Sequence, residues 1–391
     1  MNSFKESIKK LVESYLGFFA RMLYLKFRPF VIGITGSSGK TTVKYMISEL
    51  MDLPESEMRV APENMNTETG LPLAVLGFKK SPKNILDWLG FLIVVPFKGI
   101  FTFSFSKYLI LEYAADKPND ISYLVDLAPP DIAVITNVGV AHLEVFKTVE
   151  KIAKEKWKLA QNAKTKVICS KEVKERAKIF GVPRAEVSVV GEAKTVKIEN
   201  IKNLANKTEF DLILNGRKYK NLSYNFLGMH NLQNLELAVW VVVAVLGESE
   251  KALANISKLR PQQGRGRRFA ARKGVLVIDE SYNANPISML SALKNLSQIT
   301  LGRKVAILGE MKELGKITAN SHREIAVFAK KIANLTVGVG SDFSNLGLDK
   351  WYPNVEELIK DVKNVLQDND VVLVKGSHAV HLEKIVEKLE E

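Results

Sequence analysis

Residues 31–47 read VIGITGSSGKTTVKYMI: an apolar run, a turn of small residues, then apolar side chains at helical spacing. A strand that passes through glycine straight into a helix has few options. The helix must fold back over the strand's own sheet, and the next strand then lies parallel to the first. Short apolar runs at 31–35, 108–112, 132–136, 166–169 and 186–190 repeat this start, separated by helical segments such as 41–51 and 148–163. The alternation predicts a parallel sheet with crossover helices. Residues 195–225 break the rhythm. TVKIENI and TEFDLILNGRKYKNLSY predict an antiparallel meander, with Asn215 and Gly216 at a hairpin turn. A helix over 231–246 follows, then LRPQQGRGRRF (259–269), which has the composition of a linker. A second strand–helix alternation runs through GVLVIDESYNANP, KVAILGEM, LTVGVG and VVLVKGS. At 391 residues the chain is too long for one core, and the expected division is an amphipathic helical extension at 1–29, a central α/β domain at 30–259 and a second α/β domain at 260–391.

The net charge is +13 and the pI about 9.4. Nucleic acid, an anionic membrane surface or a polyanionic small substrate would each suit that excess. The basic residues are spread along the chain and no RNA- or DNA-binding motif stands out, which argues against nucleic acid. The single cysteine, Cys169, lies in the apolar run KVICS and reads as a buried strand thiol. Residues 4–27 carry apolar side chains at helical spacing and predict one amphipathic helix or two. No small-residue cleavage site follows them, so a cytoplasmic protein is expected. The stretch 88–113 is strongly apolar, but Lys98 and Lys107 interrupt it and Pro96 breaks it, short of the ~18–20 residues of a spanning helix. Core strand is expected at 108–113, and an apolar loop or helix before it. Residues 1–29 and 88–106 both pair aromatic with basic side chains, as helices at anionic interfaces do. Peripheral contact with the inner membrane surface is one expectation; plain packing on the central domain is the other.

In ITGSSGKTT, Gly36 and Gly39 permit a tight bend whose N–H groups, with those of the helix start, can surround phosphate oxygens. Lys40 would reach the terminal phosphates, and Thr41 or Thr42 a magnesium ion. The match to G-x4-G-K-[ST] is imperfect, because Ile34 stands where the first glycine belongs and Gly33 comes one place early. Alone, the turn implies a nucleotide site and names no reaction.

The spelling T-G-[ST]-x-G-K-[ST]-T resembles the ATP-binding loop of the Mur ligases, the ATP-dependent amide-forming enzymes of cell-wall precursor synthesis. Further stretches resemble one branch of that family, in order: NMNTETGLPLAVLG (64–77), LEYAADKPNDI (111–121), VITNVGVAHLEVFKTVEKIAKEK (134–156), GMHNLQN (228–234), IDESYNANPISM (278–289), ILGEMKELG (307–315) and LVKGSHAVHLEKIV (373–386). The resemblance covers about residues 30–391 and implies a P-loop-type central ATPase domain with a parallel sheet, followed by a C-terminal Rossmann-like α/β domain. It implies a peptide ligase that uses ATP and Mg2+, joins a UDP-muramoyl peptide to D-alanyl-D-alanine, and works as a monomer.

The same resemblance implies the site residues. ATP would be held by Gly36, Ser37, Ser38, Gly39, Lys40, Thr41, Thr42 and Asn234, with Arg265 and Asp279 reaching across from the second domain. Magnesium would be held by Thr41, Glu112, His142 and Lys156, the last carbamylated by CO2. Lys40, His142 and Lys156 would serve catalysis, and Asn66, Thr67, Tyr282, Asn283, Asn285, Lys375 and Ser377 the substrates. Each has a plainer reading: a strand-end charge for Glu112, a solvated lysine-rich helix face for Lys156, helix capping for Asn234. His322 reads as a helix cap with no catalytic role. Ala114, Asn119 and Glu280 depart from the branch's pattern, and only some thirty residues precede the phosphate turn where the branch has a domain for the UDP group. That last departure leaves room for a ligase of other substrates, a polyglutamate or lipid-linked precursor among them. A nucleotide-binding module without catalysis is the rival of another class.

Overall fold

The computed structural model describes residues 2–139, 143–204, 207–226 and 228–391. In the first sheet the phosphate-turn strand is β1 (Phe30–Thr35). It is joined by β2 (Met58–Val60), β3 (Tyr108–Glu112), β4 (Ile132–Ile135), β5 (Lys166–Ser170) and β6 (Glu186–Val190). The order is β2-β3-β1-β4-β5-β6, and every pair is parallel. Unbroken apolar runs become strands buried on both faces because helices cover both. Val31, Leu109, Ala133 and Val167 face the layer holding helices Asn2–Phe27 and Val149–Gln161. Their neighbours Ile32, Ile110, Val134 and Ile168 face helices Lys40–Met51 and Met229–Leu246. Cys169 is buried in β5. The meander is β7 (Val196–Asn203), β8 (Thr208–Leu214) and β9 (Arg217–Tyr224), antiparallel throughout. Asn215 and Gly216 both have positive φ at its hairpin, as a two-residue turn requires.

The second sheet holds β10 (Arg267–Ala270), β11 (Leu276–Glu280), β12 (Lys304–Gly309), β13 (Leu335–Val339), β14 (Lys350–Tyr352) and β15 (Val371–Lys375). Its order is β10-β11-β15-β12-β13-β14, parallel except for β10. The stretch expected to be linker therefore ends as a strand: residues 267–270 pair antiparallel with β11 at the sheet edge, where arginine side chains can remain partly exposed. His322 is no cap. It is fully buried inside helix Thr318–Ile332, where Nε2 accepts the Met311 N–H and Nδ1 faces the Thr318 carbonyl.

The apolar segment before β3 folds as one helix, Ile85–Phe101, and Pro96 does not break it. Proline lacks the N–H that would bond to Leu92 one turn earlier. The Tyr15 hydroxyl, 2.8 Å from the Leu92 carbonyl, supplies the donor instead. Tyr15 belongs to helix Asn2–Phe27, whose Leu16, Ala20, Leu23 and Tyr24 are buried against the central domain. The plainer expectation for that helix, packing on the domain, is thus realised. Among the described residues one helix is long and apolar enough to cross a membrane, Met229–Leu246, and most of it is buried inside the protein.

Replacing Tyr15 with Phe leaves the Leu92 carbonyl without its donor while keeping the ring. The expected cost is about 1 kcal/mol in urea unfolding. An unchanged midpoint would show that water replaces the hydroxyl without loss.

Candidate active site

The phosphate turn is shaped by contact with the loop after β4. A Cβ at Gly36 would lie 1.9 Å from Thr136 Oγ1, and Gly39, at φ 79°, would press one to 2.7 Å from Asn234 Oδ1. Only glycine fits either place. Ser37 N–H donates to the Asn137 carbonyl, and Ser37 Oγ exchanges hydrogen bonds with the Gly139 backbone. Ser38 N–H donates to Asn137 Oδ1, Asn137 Nδ2 donates to Ser38 Oγ, and Thr136 Oγ1 donates to the Ser38 carbonyl. Ser37 and Ser38, expected as ATP contacts, thus spend these groups on bracing the loop. The donors left for a phosphate are those that open helix Lys40–Met51, at Lys40, Thr41 and Thr42, which have no carbonyl a turn earlier within the helix. Lys40 curls back so that Nζ donates to the Gly36 carbonyl at 2.9 Å. Burial lowers its pKa, with Arg265 adding to the effect and Glu112 opposing it.

Glu112 ends β3 beside this helix and is almost wholly buried. Oε2 accepts from Thr41 Oγ1 at 3.0 Å and lies 3.4 Å from Lys44 Nζ; Oε1 accepts from Asn66 Nδ2 at 3.0 Å. Burial alone would raise its pKa, but Lys40 and Lys44, with the hydrogen bonds from Asn66 and Thr41, hold it below the usual value. Two hard oxygens, Thr41 Oγ1 and Glu112 Oε2, thus converge next to the phosphate turn, a donor set that fits Mg2+. Lys44 was missed in the sequence, although it follows Lys40 by one helical turn and shares its face. Lys156, on helix Val149–Gln161, is buried and lines the same cavity, which rules out the solvated-face reading. Burial first, and the Lys40 charge second, bring its pKa down to about 7. His142 lies outside the described residues.

The opposite wall comes from the second sheet. The Arg265 guanidinium stacks 3.7 Å from the Tyr282 ring centre, and Nε lies 3.6 Å from Glu63 Oε1. Nε and Nη2 are buried without a hydrogen-bond partner among the described residues. A buried guanidinium with unfilled donors beside a phosphate turn fits an anionic ligand. The Tyr282 hydroxyl donates to Asn64 Oδ1 at 2.8 Å, tying the two domains together near the cleft, a contact no motif announced. Asn283 and Asn285 line the cavity; Asn285 also caps helix Pro286–Ser297. Lys375 lies at the end of β15, paired with Glu280 at 3.0 Å and donating to the Asn283 carbonyl. Asn234 lines the cavity beside Gly39.

Four expected contacts stand elsewhere. Asp279 is fully buried; its oxygens accept from Gly264 N–H, Ser281 N–H and Ser281 Oγ, so it shapes the linker turn rather than the cavity wall. Ser377 Oγ accepts the Lys312 N–H, holding the 310–312 loop. Thr67 serves the start of helix Gly70–Val75, its Oγ1 accepting Gly70 N–H and its carbonyl Leu71 N–H. Gly36 packs against Thr136 and does not line the cavity either. The remaining described residues enclose a cavity of about 470 Å3 between the two sheets, within the range of small-molecule sites.

Comparison with known proteins agrees with this geometry. Residues 34–242 match the Mur ligase middle domain and residues 264–378 the Mur ligase glutamate ligase domain. The UDP-N-acetylmuramoyl-tripeptide--D-alanyl-D-alanine ligase of Buchnera aphidicola subsp. Baizongia pistaciae is 28% identical over 390 residues, covering 92% of this chain and 75% of that protein. The ligase of the same name from Rickettsia prowazekii is 27% identical, over 91% of this chain and 77% of its own. The crystal structure of MurF ligase from Thermotoga maritima in complex with ADP superposes with a TM-score of 0.80 at 26% identity, over 97% of this chain and 83% of that one. With both domain matches in sequence order and together spanning most of the chain, the protein belongs to the Mur ligase family.

Proposed function

We propose that this protein is an ATP-dependent peptide ligase of peptidoglycan precursor synthesis, joining the carboxylate of a UDP-muramoyl tripeptide to the amine of D-alanyl-D-alanine. The observation that carries the reading is a single cavity with the phosphate turn, Thr41 and Glu112 on one wall and the unfilled donors of Arg265 on the other. The name shared by the similar enzymes supports the substrate pair. The division into residues 30–259 and 260–391, each supplying one wall, supports a monomeric working unit.

The chemistry follows from where the charges stand. ATP lies across the cleft, its phosphates on the opening turn of helix Lys40–Met51. A carboxylate oxygen of the donor attacks the γ-phosphorus, the bond to ADP breaks, and an acyl phosphate forms. Lys40 and Arg265 neutralise the charge that builds on the transferring group. The free amine of the second substrate then attacks the acyl carbon; inorganic phosphate leaves with the bonding electron pair and the amine nitrogen gives up its proton. Thr41 and Glu112 would hold Mg2+, which would supply further neutralisation of the phosphate oxygens. Lys156 is proposed to carry a carbamate: its buried position beside Lys40 favours an anion, and its amine is partly unprotonated near neutral pH. Tyr282, Asn283, Asn285 and Lys375 line the cavity, and the orienting of the amine substrate is assigned to them.

The test is phosphate release by the purified protein with ATP and Mg2+. Release should require both UDP-muramoyl tripeptide and D-alanyl-D-alanine and match the amide product by mass. Lys40→Ala should lower the rate at least ~100-fold with the fold intact. Turnover with other carboxylates or amines but not with this pair would displace the substrate assignment. Unaltered ADP production by Lys40→Ala would remove the phosphate turn from the mechanism.

A separate variant examines the carbamate. Lys156→Ala should be nearly inactive and regain part of its activity when short carboxylic acids are added. Full activity without them would rule the carbamate out.

A further inference from the structure

Helix Asn2–Phe27, in the layer on the first sheet, and helix Ile85–Phe101 beside it leave many large apolar side chains outside the core. Of 23 large hydrophobic side chains that are exposed among the described residues, 13 lie between Ile8 and Leu25 or between Ile85 and Phe103. Helix Ile85–Phe101 buries Val95 and Gly99 and turns Trp88, Phe91 and Leu92 toward the core. Its other face presents Leu89, Ile93, Phe97, Ile100 and Phe101, each about half exposed or more. Helix Asn2–Phe27 adds Leu11, Phe18 and Leu25, spaced seven apart on one stripe. The helices lie side by side in the same direction: Tyr15 meets Leu92, Phe19 backs onto Gly99, and Lys26 donates to the carbonyls of Ile100 and Thr102.

We propose that this face seats the protein on the surface of an anionic lipid bilayer. Three observations select that occupant. The first is charge. Lysines and arginines are spread over the whole chain, but acidic residues are scarce here: residues 2–28 and 78–107 hold eleven basic and three acidic side chains, a surplus of eight out of the chain's net thirteen. The second is the placing of the cations. Lys26 lies 5.5 Å over the Phe103 ring and Lys98 4.9 Å over Phe78, so apolar rings and ammonium groups occupy one surface, as where side chains snorkel to headgroups. The third is the lack of polar recognition groups. Residues 88–101, WLGFLIVVPFKGIF, contain one charged side chain and no serine, threonine, asparagine or glutamine. A protein interface of this kind would need about one hydrogen bond per 100–200 Å2; a lipid surface needs none. The helix is roughly 25 Å long and fixed to the core along its other side, so it lies in the interface and does not cross it.

The experiment is flotation with vesicles of phosphatidylcholine, with or without phosphatidylglycerol. The protein should float with the mixed vesicles at low salt, and at least tenfold less with phosphatidylcholine alone or at high salt. The double variant Ile93→Ser, Phe97→Ser and, separately, Lys98→Glu should each reduce flotation at least tenfold, with circular dichroism and ATP turnover unchanged. Absence of flotation at low salt, or variants that float like the parent, overturns the proposal. So does a dimer in sedimentation velocity that the double variant abolishes, because the face then belongs to a second copy of the chain.

Discussion

Gly36 lies so close to Thr136 that a methyl group would occupy the place of the hydroxyl. The rest of the site depends on that approach. It fuses the turn after β1 to the loop after β4, and Asn137 completes the join by hydrogen bonds to Ser37 and Ser38. The fused loops fix where helix Lys40–Met51 begins and hence where its unpaired N–H groups point. They also fix the distance from Thr41 to Glu112 on the neighbouring strand. Because β1 is central, with β3 on one side and β4 on the other, the ends of three strands meet at one spot. Open α/β sheets place ligands at such a point.

The electrostatics of that spot are unbalanced. Lys40, Lys44 and Lys156 crowd around Glu112, and Arg265 faces them with donors unfilled. Buried cations in excess are costly. The protein meets part of the cost by lowering the pKa of Lys40 and Lys156, and a polyanionic ligand would meet the remainder. Stability is thus surrendered where binding recovers it. The same argument explains why the serines of the turn serve as braces: a site that draws phosphate by charge and backbone N–H groups needs its loop rigid before the ligand arrives.

Helices Asn2–Phe27 and Ile85–Phe101 follow a different logic. Their inner faces close the core, and the Tyr15 hydroxyl repairs the carbonyl that Pro96 would leave unpaired. Their outer faces keep large apolar side chains in water among lysines. Core packing accounts for the first face only; contact with a lipid surface would account for the second.

The α/β alternation, the meander with its Asn215–Gly216 turn, and the short motifs carrying Lys40, Glu112, Lys156 and Arg265 were all legible in the order of residues. These are local patterns: period, turn chemistry and spelling within a few residues. What a side chain does with its polar atoms was decided by tertiary structure. Asp279, Ser377 and Thr67 belong to the same motifs as cavity residues, yet their oxygens go to nearby backbone N–H groups. Lys44 and the Tyr282–Asn64 tie entered unannounced. Neither the continuity of helix Ile85–Phe101 through Pro96 nor the strand at Arg267–Ala270 was legible, because each rests on a partner distant or newly paired: Tyr15 for the one, β11 for the other. A motif fixes which groups are available. Which of them meet a ligand depends on distances between segments far apart in the chain, and those exist only once the sheets have assembled.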